Sequence, residues 1–245
     1  GITDTPGGLK LQCEGHDVRY RNTWIKELDL DDSNTDFNEP VAFESLVPEG
    51  EVVTHPFNGT DLTGWTGDEA IWSVVNGMIR GANEKRVPSS TYLFTDKEHR
   101  NFRMLFEVKQ TMSDKHSTMH SAVAALGERF TDAGDNPFGF RGPLLMFCHD
   151  WGIWDAHRRN RVAPVGPGFE VEKKGQWKLI EILVVGNRIR MAANGREIFD
   201  FTDKPEMLKA SPLGLQIHSN DRPQEYHFRS LLLTTDPVDR LVTVK

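Results

Sequence analysis

Phe57-Asn58-Gly59-Thr60-Asp61-Leu62-Thr63-Gly64-Trp65, followed by Trp72-Ser73-Val74-Val75-Asn76-Gly77-Met78-Ile79-Arg80-Gly81, decides the fold class. The first stretch is a turn (Asn-Gly, then Asp, then Gly) that delivers a tryptophan to a fixed place. The second is a hairpin, because apolar residues flank Asn76-Gly77, the dipeptide that most readily takes positive φ at both turn positions. Two tryptophans beside tight turns suit the end of a β-sandwich, where their rings either plug the core or stack on sugars.

Downstream the same signals repeat. Phe102 to Lys109 alternates in part, and Leu144 to Cys148 is a short apolar run of the kind that forms a buried strand. From Trp177 to Phe201 the strands Leu179–Val185, Arg188–Ala193 and Glu197–Phe201 are separated by Gly186-Asn187 and Asn194-Gly195. Both are two-residue hairpin connectors, so the segment reads as a three-stranded antiparallel meander. Ile189 and Met191 alternate with Arg188 and Arg190, which implies one wet and one buried sheet face. No long helical period appears. Short strands punctuated by 21 Gly and 13 Pro predict an all-β chain, a sandwich of two antiparallel sheets.

Bulk properties exclude several functions. With 245 residues, 38% hydrophobic content, 14 Phe and 6 Trp, the chain can bury one large core. A net charge of −7 argues against sequence-independent nucleic-acid binding, which needs a basic face. No apolar run approaches the ~20 residues of a membrane-spanning helix. The two cysteines, Cys13 and Cys148, lie within apolar patterns, which suits buried thiols and leaves a single disulfide open.

The chain echoes itself. Leu9-Lys10-Leu11-Gln12 followed by Tyr20-Arg21 parallels Leu213-Gly214-Leu215-Gln216 followed by Phe228-Arg229. Residues 1–28 therefore read as strands from the tail of a preceding homologous domain, with Gly1-Ile2-Thr3 a trimmed start. Residues 29–52, with Asp29, Asp31, Asp32 and Asp36, read as an acidic linker. The main domain spans 53–235, and 236–245 is a C-terminal extension. Apolar Leu9, Leu11, Tyr20 and Trp24 need cover, so residues 9–28 are expected to pair as strands on this sandwich or on a second copy, a route to self-association.

The densest polar cluster runs from His149 to Arg161: His149-Asp150-Trp151-Gly152-Ile153-Trp154-Asp155-Ala156-His157-Arg158-Arg159-Asn160-Arg161. It begins on the strand that ends at Cys148 and leaves it. Trp151 and Trp154 offer flat faces for pyranose stacking. His149, Asp150, Asp155 and His157 are the candidate catalytic acid–base groups, and Arg158, Arg159 and Arg161 can stabilise an anion. A surface loop with salt-bridged arginines and core tryptophans is the bland alternative. His218, at the end of Leu213–Ile217, is a further substrate-binding candidate; His116 and His120, beside a strand, are weaker ones.

No cofactor is required by these patterns. A divalent cation is the one the spacing allows, since Asp155 and His157 at i and i+2 share a strand face. His149 and Asp155 would lie ~20 Å apart on a straight strand, and only a bend at Gly152 would bring His149 or Asp150 nearer. The loop Thr131 to Pro137 reads as an acidic Gly-containing turn before it reads as a calcium site. Asn58-Gly59-Thr60 matches a glycosylation sequon but lies inside the Asn-Gly turn. There is no nucleotide-binding glycine loop, no Gly-x-Ser-x-Gly elbow and no Cys-x-x-Cys.

From about Phe57 to Leu233 the chain resembles the 3-keto-disaccharide hydrolase family. The likeness rests on Phe-Asn-Gly-x-Asp-Leu-x-Gly-Trp, the hairpin Trp72 to Gly77, the meander with Gly-Asn-Arg-Ile and Asn-Gly, and the closing Leu213 to His218. It implies a concanavalin A-like jelly roll related to laminarinase-type hydrolases, a carbohydrate partner, and export to the periplasm or medium. Many members carry an acidic residue in a Tyr-Glu-Val-Gln-type strand, where this chain has Leu144 to Asp150 without the Glu. An Asn-Ser-Gly-Ile strand is replaced by His120-Ser121-Ala122-Val123, so the chain is similar to a divergent subgroup.

The Glu-x-Asp-x-Glu strand of laminarinase-type retaining enzymes is absent, which disfavours double displacement. Two readings remain. One is a hydrolase or lyase cleaving 3-keto-glycosides, in which the ketone acidifies the neighbouring proton and the glycosidic bond breaks by elimination. It needs one base, one donor for the enolate, and stacking. The alternative is a non-catalytic carbohydrate-binding module with the same aromatics.

Overall fold

The structure, a computed structural model, describes residues 19–21, 40–147, 152–155, 160–161 and 174–244. Its strands are numbered in chain order. The larger sheet runs β15 (Arg196–Thr202), β14 (Arg188–Ala193), β13 (Lys178–Val185), β6 (Phe102–Gln110), β17 (Gln224–Thr235), β4 (Met78–Asn83), β3 (Trp72–Val75), with β1 (Val52–Thr54) also on β17. The second runs β12 (Asn160–Arg161), β11 (Ile153–Asp155), β10 (Pro143–Phe147), β7 (Ser121–Ala124), β16 (Ser211–Ile217), β5 (Thr91–His99), β2 (Trp65–Thr66). A separate hairpin pairs β8 (Glu128–Phe130) with β9 (Gly139–Arg141). Every pairing is antiparallel. Helix among the described residues is confined to single 3₁₀ turns at Glu44–Leu46 and Pro205–Met207, and none is long or apolar enough to cross a membrane.

The turns stand where the dipeptides place them. Asn76 (φ 51°) and Gly77 (φ 74°) both take positive φ between β3 and β4, as a type I′ connection requires. Asn194 (φ 49°) and Gly195 (φ 83°) do the same between β14 and β15, and Gly186-Asn187, with positive φ at Gly186 (59°), joins β13 to β14. The Asn58 side chain accepts from the backbone N–H of Thr60 and of Asp61 and donates to Asp61, closing the opening turn on itself. Both tryptophans plug the core: Trp65 and Trp72 are buried, and Trp65 Nε1 donates to the Pro56 carbonyl at 2.7 Å. Trp72 faces Gly81 across the β3–β4 ladder, and a Cβ at Gly81 would stand 2.4 Å from its ring.

Strand alternation builds the core between the sheets. Phe102, Met104, Phe106 and Val108 of β6, with Ile180, Ile182 and Val184 of β13, meet Leu93, Val123, Leu145, Phe147, Ile153 and Leu215 of the other sheet. The opposite, outer face of the larger sheet is polar and also covered. Arg103 is fully buried there, paired with Glu51 and Glu181, and Glu181 also accepts from the backbone of Val242 and Thr243. Glu107 pairs with Arg229 and accepts from the Val41 N–H.

Residues 40–51, which by composition close an acidic linker, thus pack against the sheet, with Phe43 buried beside Leu105 and Leu232. Residues 236–244 pack there too. Of residues 9–28 only 19–21 are described; they belong to no strand, and Tyr20 is 50% exposed. The remainder of the expected N-terminal pairing, and Cys13 and Cys148, lie outside the described residues.

Candidate functional site

The second sheet has apolar residues on both faces, and that sets the site. Along β5, Leu93 points into the core while Tyr92 and Phe94 point away from it. Along β7 and β10, Val123, Leu145 and Phe147 go inward, and Ala122, Ala124, Leu144 and Met146 go outward. On β16, Leu213, Leu215 and Ile217 face the core, which puts Gly214, Gln216 and, one step past the strand, His218 on the outward face. This face would be an exposed apolar patch, except that the β8–β9 hairpin folds over part of it and Phe140 packs on Tyr92 and Phe94. Arg129 stacks its guanidinium 4.8 Å from the Phe94 ring.

What stays open is a cavity of about 380 Å³. Its apolar part is made by Phe130, Phe140, Leu144, Met146 and Trp154, and its polar end by Ser89, Ser90, Tyr92, His120, Asp132, Gln216 and His218. Concave, mostly apolar, with a few convergent polar groups, it has the character of a small-ligand site.

The polar end is held by a connected set of bonds. An isolated bridge between Val87 and Asn220 ties the β4–β5 loop to the β16–β17 loop, and the Ser219 N–H donates to Ser90 Oγ at 3.2 Å. Gln224 Nε2 donates to the His218 carbonyl. His120 precedes β7, and the chain just before it is gripped from the larger sheet by Gln110 and Tyr226, which both donate to the Met119 carbonyl. The β16–β7 register (Gly214 opposite Ala124, Leu215 opposite Val123) extends to His218 opposite His120, and their rings meet edge to face at 4.7 Å.

Gln216, Tyr92 and Asp132 each have a definite state. Gln216 is 1% exposed; its Nε2 donates to Tyr92 Oη at 2.9 Å, and its Oε1 has no hydrogen-bond partner. A buried amide oxygen left open costs free energy that a ligand hydroxyl would recover. Burial pushes the Tyr92 phenol well above its usual range, so it remains an O–H. The Asp132 carboxylate is held below its usual range by the Ser89 hydroxyl and the backbone N–H of Asn136 and Gly134. Those bonds close the loop Thr131 to Pro137.

Of the described members of the sequence-derived cluster, one lines this cavity. Trp154 lines it, on β11, beside Leu144 of β10. Asp155 does not: it is 1% exposed and, one residue on, lies on the other face of the sheet with Ile153. Density along the sequence groups Trp154 with Asp155, and strand alternation separates them. Arg161 stands opposite Trp154 in the β11–β12 ladder. His149, Asp150, Trp151, His157, Arg158 and Arg159 lie outside the described residues. His218 is at the cavity, as a strand-end residue beside the ligand space. Among the described residues no three His, Cys, Asp or Glu side chains cluster as metal ligands.

Sequence reasoning missed Tyr92 and Gln216 as site residues and ranked His120 among the weaker candidates. One signal was present: Leu213 to His218 and Tyr92 to Phe94 alternate between two sets, and the second set is aromatic or polar where an exposed sheet face would be charged.

A family model described as a 3-keto-alpha-glucoside-1,2-lyase-like domain matches residues 53–234. No curated protein matches the chain. Among solved structures, a Parabacteroides distasonis protein ascribed to the glycosyl hydrolases superposes with a TM-score of 0.56 at 20% identity, over 82% of this chain and 100% of that one. The carbohydrate recognition domain of Emp47p gives 0.53 at 10% identity over 78% and 99%. The exoplasmic/lumenal domain of VIP36, bound to Ca²⁺ and Man₃GlcNAc, gives 0.51 at 10% over 73% and 86%. At these identities the likeness is one of fold, a lectin-type jelly roll.

Proposed function

The chain belongs to the 3-keto-alpha-glucoside-1,2-lyase-like family, and from that membership together with the cavity we propose that it cleaves 3-keto-glycosides by elimination. The observation that carries this reading is the make-up of the cavity's polar end. Two imidazoles, a neutral phenol and an open amide oxygen converge there, and Asp132 is the one carboxylate among the described lining residues. Paired-carboxylate hydrolysis needs two such groups about 5–9.5 Å apart. Elimination needs a base beside C2, a donor for the enolate oxygen, and an apolar face under the ring. Trp154 is suited to the last role, and Gln216 Oε1 can accept from a sugar hydroxyl.

A second reading is a non-catalytic carbohydrate-binding module. Its support is the rigid, preformed apolar floor, which would hold a pyranose without any chemistry, and the sugar-bound VIP36 domain on the same fold. One comparison separates the two. The lyase reading expects alcohol release from methyl 3-keto-α-glucoside and none from methyl α-glucoside. Calorimetric glycan binding with no turnover of either compound would replace it with the binding module.

A further inference from the structure

Resting on the elimination reading, we propose that His218 is the base that takes the C2 proton, through Nε2, with the Tyr92 hydroxyl donating to the oxygen that becomes the enolate. The assignment begins with a tautomer. His218 Nδ1 lies 2.7 Å from the Ser219 carbonyl oxygen, which can only accept, so Nδ1 carries the hydrogen. The Ser219 hydroxyl, at 3.4 Å, is the weaker neighbour of that nitrogen. Neutral His218 therefore has its lone pair at Nε2, and its half-buried ring lines the cavity.

The other titratable groups at this end are less suited. Asp132 already accepts two backbone N–H groups and the Ser89 hydroxyl, which lowers its basicity. Tyr92 stays protonated because it is buried, which makes it a donor. Its oxygen accepts from Gln216 Nε2 and meets the Ser90 hydroxyl, which takes the Ser219 N–H on its own oxygen and has its hydrogen to give to Tyr92, leaving the phenol hydrogen for a substrate oxygen. His120 is 6% exposed and presses edge-on against the His218 ring, a position that braces His218.

The step balances within the substrate and this pair. The C2–H bond breaks, its proton passes to Nε2, and its electrons form the C2–C3 double bond of an enolate. Those electrons then make the C1–C2 double bond as the C1–O bond breaks, and the ketone re-forms at C3. The departing oxygen takes back a proton from the imidazolium. Nothing is oxidised or reduced, and the products are an alcohol and an unsaturated 2-hydroxy-3-keto sugar.

The test uses methyl 3-keto-α-glucoside in D₂O, followed by NMR for methanol release and for deuterium entering C2. His218→Asn keeps a donor for the Ser219 carbonyl but has no base, so it should fold with an unchanged thermal midpoint. It should lose roughly 10²–10⁴-fold in kcat, the usual worth of a positioned base, with KM little altered. His218→Ala should lose as much and regain activity with added imidazole, a rescue that a merely structural role would not show. If wild type releases methanol but His218→Asn keeps kcat within about threefold, the base lies elsewhere while the lyase reading stands. Failure of imidazole to restore His218→Ala overturns the assignment in the same way. If wild type neither exchanges C2 nor releases methanol, the elimination reading falls, and His218 with it.

Discussion

Replacing Gly214 with alanine tests whether the cavity floor is as tightly built as the structure makes it. Gly214 sits opposite Phe94 on β5 and Ala124 on β7. A Cβ there would stand 2.7 and 2.9 Å from two Phe94 ring carbons and 3.2 Å from the Ala124 Cβ. The backbone is not left-handed at this glycine, so the substitution adds crowding and no torsional strain. Phe94 has nowhere to retreat: it is fully buried, stacked on Tyr92 at 5.6 Å, tilted against Phe140 at 6.1 Å and capped by Arg129. Overpacking of this kind costs about 1–3 kcal/mol, which for a domain of this size is a loss of roughly 2–12 °C in thermal midpoint. Differential scanning calorimetry on wild type, Gly214→Ala, Phe94→Leu and the double variant closes a cycle. The double variant should be less destabilised than the sum of the singles, because leucine vacates the space the methyl needs. A Gly214→Ala midpoint within about a degree of wild type, or strict additivity, would refute the packing argument.

Trp154→Ala removes the aromatic face at the cavity, and loss of about 0.5–1.5 kcal/mol of ring contact weakens sugar binding roughly 2- to 12-fold; unchanged affinity by titration calorimetry would exclude stacking there. Glu181→Ala leaves the buried Arg103 guanidinium with Glu51 as its remaining carboxylate and deprives the Val242 and Thr243 N–H groups of their acceptor, and should lower stability by about 1–3 kcal/mol for each group left unsatisfied, read as a shifted denaturant midpoint. Acid titration tests Glu225, whose carboxyl is pulled from its ordinary 4.5 to about 2 by His227 and Arg80. Since the folded value is the lower one, its contribution is present above about pH 4.5 and is lost as pH falls from there through about 2. Glu225→Gln should therefore flatten the thermal midpoint over that interval relative to wild type, and identical slopes would contradict the pairing.

Local information carried far in this chain wherever one residue or dipeptide has a single good use. Asn76-Gly77, Gly186-Asn187 and Asn194-Gly195 are hairpin turns because few other dipeptides tolerate those backbone angles. Once the turns are placed, the strands between them and their antiparallel pairing follow. Alternation within each strand then sorts side chains into two faces. The opening Asn58 turn belongs to the same local grammar, whereas whether Trp65 and Trp72 plug the core or face a sugar was open in the sequence and was decided by packing.

The site was a different matter. His218 was visible as a strand-end residue and His120 as a weaker candidate, but their meeting with Tyr92 and Gln216 was not: these groups come from strands far apart in the chain, and only the order β7-β16-β5 makes them neighbours. Density along the chain suggested that Trp154 and Asp155 act together, yet consecutive strand residues face opposite ways, and Asp155 went to the buried face. Whether an outward face is solvent or a floor is likewise not local, because it depends on the β8–β9 hairpin folding over it. The sequence by itself determined the turns, the strand period and hence a two-sheet sandwich, all set by backbone torsion and nearest-neighbour alternation. Strand order, register across the sheet and the covering hairpin, which bring two imidazoles, a phenol and an amide to one cavity, are long-range pairings that only the tertiary structure decided.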